Sequence, residues 1–214
     1  MTGWVRLRWF LLPALASLTF IAATDQVGHN IAPEPSLWIA TLGLYLLTFV
    51  LTFDHPRWYR PALTAVLTMV ALLVTTGRKE IPTLFDLEWD YGVSEMRLMH
   101  YALLFLVCMM CHGELFRQRP RNTQYLTEFY LWMSIGGAFG GLFVSLFATN
   151  FFNEYHEWPI ALSLSIVLAF AVLRREWGGS SRVLPDASAE AAWTAHPTKQ
   201  AWVGAAFVTF FSFF

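Results

Sequence analysis

Six stretches of this chain are apolar over about the length needed to cross a bilayer, and basic and acidic loops alternate between them. A membrane-spanning helix needs about 20 mostly apolar residues, or about 17 at the short end. The runs fall near Trp9–Ala23, Leu37–Phe53, Pro61–Thr76, Leu98–His112, Phe129–Phe151 and Trp158–Leu173. A seventh, Ala201–Phe214, covers roughly two thirds of a crossing and ends in Phe-Ser-Phe-Phe. Composition agrees with this pattern: 56% of residues are hydrophobic and only 14% charged, where a soluble domain carries about 25% charged residues. Mean hydropathy is +0.46. The expected fold is an all-α, polytopic transmembrane helix bundle with six full spans and a partial seventh. Residues 1–176 form the membrane module, 177–200 a small, polar cytoplasmic linker, and 201–214 a partial or truncated last span.

Loop charges orient the bundle. Arg6 and Arg8 precede the first run. Arg57 and Arg60 occupy the second loop, Arg117, Arg119 and Arg121 the fourth, and Arg174, Arg175, Arg182 and Lys199 the sixth. The intervening loops carry Asp25 and Glu34, then Asp86, Glu88, Asp90 and Glu95, then Glu154 and Glu157. Lys and Arg concentrate on cytoplasmic loops, so the N-terminus and the even loops are expected in the cytoplasm. Arg78 and Lys79 on the third loop are discordant, but sit among more acids than bases. That loop, Gly77–Arg97, is long and contains IPTLFDLEWDYG, which reads as an interfacial helix or an ordered loop. A secretory signal peptide at the N-terminus is excluded because further spans follow at once. The net charge of -1 speaks against nucleic acid as a partner.

Cys108-Met-Met-Cys111-His112 spells the attachment motif of a c-type haem. Attachment of that group takes place outside the cytoplasm, whereas the arginines just after His112 place this helix end inside. His112, Glu114, Arg117, Arg119 and Arg121 are therefore read as a cytoplasmic helix end. The imidazole caps the negative end of the helix dipole and Glu114 pairs with Arg117 or Arg119 as an exposed, weak ion pair. The sharper alternative is a docking point for a cytoplasmic domain. Both cysteines lie in an apolar run, where a thiol behaves as a small hydrophobe. No cofactor or metal is expected.

Gly136, Gly137, Gly140 and Gly141 make two overlapping G-x-x-x-G pairs, which Ser134, Ala138, Ser145 and Ala148 extend at helical spacing. Lipid gives no hydrophobic drive for helix association, so small residues that let backbones approach mark packing faces. The fifth run is expected to pack tightly against a helix of this chain or of a partner. Asp25, His29, Glu95 and His100 lie near the outer interface, where solvation is cheap, and no run carries a central Asp, Glu, Lys or Arg. That pattern counts against an ion-coupled transporter.

Two blocks carry a resemblance. They are Val5–Phe53 and Cys111–Phe143, the latter beginning CHGELFRQRPRNTQYLTEFYLW and followed downstream by Glu157-Trp158-Pro159. Together they resemble the membrane portion of bacterial fused transporter/spermidine-synthase-like proteins. In that family a major-facilitator-like region precedes a soluble domain of aminopropyltransferase type. The soluble domain and the family's further N-terminal spans have no counterpart here, and His29-Asn30 stands where the family has a Thr-Asp pair. The resemblance therefore implies a shortened relative in the bacterial inner membrane. Three functions follow in order of preference. The first is a non-catalytic accessory or structural subunit packing against other membrane subunits or a second copy of itself. The second is a transporter or transporter fragment for a solute such as a polyamine-like cation. The third is a haem-binding electron-transfer subunit.

Overall fold

The structure is a computed structural model that describes residues 3–30, 35–77, 92–120, 122–148 and 157–177. Among these residues every regular element is helical. The six helices are α1 (Gly3–Asn30), α2 (Pro35–Asp54), α3 (Pro61–Gly77), α4 (Val93–Arg117), α5 (Leu126–Leu142) and α6 (Glu157–Trp177). Each contains one of the six expected apolar runs, apart from the last residues of the fifth. Five of the helical stretches are long and apolar enough to cross a membrane, while α3, at 17 residues, is shorter. The helix α5 continues into a wider π-helical stretch, Phe143–Ala148. The Gly77–Arg97 loop is described only from Gly92 onward, and its IPTLFDLEWDYG segment up to Tyr91, together with residues 178–214, lies outside the described residues.

Most of these helices overrun their apolar stretches at both ends. Hydropathy locates only the hydrocarbon-length part of a helix, but backbone hydrogen bonding continues into the interface. The turns are built locally. After α2, His55 caps a short turn, Pro56–Trp58, by accepting a hydrogen bond from the Arg57 backbone N–H at 2.9 Å. After α4, the Asn122 side chain accepts from the Gln124 N–H at 3.1 Å and opens the turn that leads into α5. Capping of this kind satisfies backbone donors that have no partner within the helix.

The helix α4 sits at the centre and packs on α1, α2 and α3, while α1 also packs on α5 and α6, and α3 on α6. Side chains tie one end of the bundle together. Trp9 is fully buried, donates its indole N–H to the Gln118 carbonyl at 3.2 Å, and meets the Phe129 ring edge-on at 5.3 Å. Leu12 and Leu115 complete that cluster. Arg6 reaches Glu128 at 2.5 Å. A second cluster packs Ala65 and Met110 against Ala169, Val172 and Leu173. The start of α3 thus lies against the last turns of α6. The helix starts of α1, α3 and α5 and the helix ends of α2, α4 and α6 accordingly share one end of the bundle.

Candidate functional site

The last three turns of α4 carry a cluster of buried thiol, imidazole and carboxylate groups. Cys108, Cys111, His112 and Glu114 are all buried, at 0%, 0%, 1% and 2% exposure. His112 is held from α2. Its Nδ1 is 3.0 Å from Thr48 Oγ1, and its ring meets Tyr45 and Phe49 edge-on at 5.2 and 5.3 Å. The Thr48 hydroxyl has one proton and lies 2.7 Å from the Tyr45 carbonyl, which can only accept. The imidazole therefore donates through Nδ1–H to Thr48, a tautomer assigned by this network.

Two residues further along α4, Glu114 Oε1 gathers three donors. Tyr59 donates its hydroxyl at 2.9 Å, Arg175 its Nη2 at 2.6 Å and Arg117 its Nη1 at 3.3 Å. Glu176 closes the group, accepting from Arg117 at 2.8 Å and Arg175 at 3.4 Å. Two carboxylates and two guanidiniums balance in charge, as a buried ionic group must if desolvation is to be offset. Gly113 makes the arrangement possible, because a Cβ there would overlap the Tyr59 ring. Burial, and then the neighbouring Glu114 charge and hydrogen bond, push the Tyr59 phenol well above its usual pKa. It therefore serves as a neutral hydrogen-bond donor.

This geometry corrects the reading of His112 and Glu114 as open helix-end groups. His112 lies more than a turn inside α4 and caps nothing, and Glu114 is sealed beneath Tyr59. Of the two expected partners of Glu114, Arg117 is present and Arg119 is exposed to solvent, while Arg121 lies outside the described residues. The larger contributions come from Tyr59 and from Arg175, which the sequence pattern did not single out for this site. The only local hint was the glycine beside Glu114, since a glycine inside a helix can mark a close approach.

On α5 the glycines divide. A Cβ at Gly136 would strike the carbonyl oxygen of Phe10, and one at Gly140 that of Ala14. These residues are spaced by four on both helices, so α1 and α5 run parallel in direct backbone contact. The tight packing partner is therefore a helix of the same chain. Gly141 meets only side chains of α1, Ile21 at 3.5 Å and Ser17 at 3.6 Å, and Gly137 has nothing within 4 Å. Ser134 and Ser145 are exposed, so within this chain they are not part of the contact with α1; Ser134 lies roughly opposite the Gly136–Gly140 line at about 100° per residue.

The haem motif does not fit its surroundings. Both thiols are fully enclosed, with Cys108 Sγ turned toward the Ala16 carbonyl at 3.8 Å, and His112 is walled by Tyr45 and Phe49. A porphyrin would have to replace α1 and α2 packing to reach these three side chains. His100, near the other end of α4, is buried, lies 2.7 Å from the Met96 carbonyl and tilts against Trp158 at 5.2 Å.

The end of the bundle that holds the Glu114 group is also its basic end. It carries Arg6, Arg8, Arg57, Arg60, Arg117, Arg119, Arg174 and Arg175 against Asp54, Glu114, Glu128 and Glu176. Arg6, Arg117 and Arg175 are engaged in ion pairs. Arg57, Arg60 and Arg174 are exposed and have no carboxylate partner among the described residues. Comparison with protein-family models, with curated proteins and with solved structures found no match.

Proposed function

We propose that this chain is a non-catalytic integral membrane module, an accessory or structural subunit that packs against partner helices in a complex of the bacterial inner membrane. In this reading the N-terminus and the arginine-rich end face the cytoplasm, and the chain is a relative of the membrane portion of the fused transporter/spermidine-synthase-like proteins. The observation that carries the reading is the outer face of α5. Gly136 and Gly140 are occupied by α1, yet Gly137 has open space over its Cα and Ser134 and Ala138 are exposed. Only 22% of the α5 span is buried within the chain. Small residues facing outward allow another helix to approach closely, where lipid itself gives no reason to place them.

The test is extraction in mild detergent followed by native pull-down and mass spectrometry of the associated proteins. A defined complex, lost in Gly137→Leu while the chain itself stays folded, supports the subunit role. A stable monomer with the same behaviour in Gly137→Leu ends it. A second reading, transport of a polyamine-like cation or another solute, draws on the buried Glu114 and His112, since an ionisable group inside a membrane bundle marks a functional site by default. It predicts uptake of labelled spermidine into vesicles that collapses in Glu114→Gln.

A further inference from the structure

We draw no further inference here: the strongest candidate, the outward small-residue face of α5 formed by Ser134, Gly137 and Ala138, is the face on which the subunit reading already rests, and nothing in the structure shows what covers it.

Discussion

Helices α4 and α5 are alike in hydropathy along their spans yet differ sharply in burial. The helix with two cysteines, two histidines and two glutamates is 67% buried over its most apolar 18 residues, whereas the helix rich in glycine, leucine and phenylalanine is only 22% buried over the same length. In water the helix with fewer ionisable side chains would be the one to occupy the centre. In a bilayer the lipid tails are as apolar as leucine, so burial follows polar groups that need partners and backbones that can touch. The helix α4 is central because Thr48, Tyr59 and Arg175 satisfy its polar residues. The helix α5 is peripheral and attached through two glycines.

The strongest way to break this contrast is to fill those glycines. Gly140→Leu and Gly136→Leu place side-chain atoms against the backbone of α1, which cannot yield by changing rotamer. Overpacking ordinarily costs about 1–3 kcal/mol, and these sites are expected to exceed about 3 kcal/mol because carbonyl groups form the wall. Thermal unfolding in a mild detergent should show a large drop for both variants, and near-wild-type stability for Gly137→Leu, whose Cβ meets nothing. Equal losses in all three would mean that α5 is bound through its whole circumference.

The buried end of α4 gives the next largest effect. Glu114→Ala leaves Arg117 and Arg175 facing each other with only Glu176 between them. Breaking a buried ion pair costs about 3–5 kcal/mol, and the low end applies because the two arginine side chains are 21% and 32% exposed. Glu176→Ala should cost less, about 1 kcal/mol, since that carboxylate is nearer to water at 18% exposure. If the ranking by chemical denaturation is reversed, Glu114 is not the centre of the group.

The positions of the helices were legible because apolar runs of hydrocarbon length have few alternatives, and the alternating arginines marked the ends that the fold brings together. The parallel pairing of α1 with α5 was half legible: G-x-x-x-G announced a close contact but could not name its partner. Ser134 and Ser145 were read as extending that small-residue face, and within this chain they are exposed, turned away from the contact with α1. The polar site was the least legible. His112 and Glu114 sit just before a run of arginines, which in one dimension looks like an open helix end. Their burial depends on Thr48 and Tyr59, more than fifty residues earlier, and on Arg175, about sixty residues later. No local pattern encodes that three-way meeting.

Gly113→Ala tests whether that meeting needs the missing side chain. A methyl group there overlaps the Tyr59 ring, so a loss of about 1–3 kcal/mol is expected. The double variant Gly113→Ala/Tyr59→Ala should recover part of the steric cost, which a double-mutant cycle would report as coupling.

A last substitution isolates the Tyr59 hydroxyl. Tyr59→Phe keeps the ring on Gly113 and removes only the donor to Glu114, a hydrogen bond to a charged group worth about 1.5–3 kcal/mol. Its pH dependence is more telling. Tyr59 titrates well above 10 in the fold, chiefly through burial and then through the Glu114 charge. The folded chain therefore keeps a proton that the unfolded chain releases near pH 10. Stability linked to this proton is whole below about pH 10 and is lost as pH rises above it. Unfolding midpoints followed from neutral pH into this alkaline range should fall more steeply for the wild type than for Tyr59→Phe, so the gap between the two narrows. Parallel curves would place the phenol in contact with water, and with it the seal over Glu114 that sets the end of α4 apart from α5.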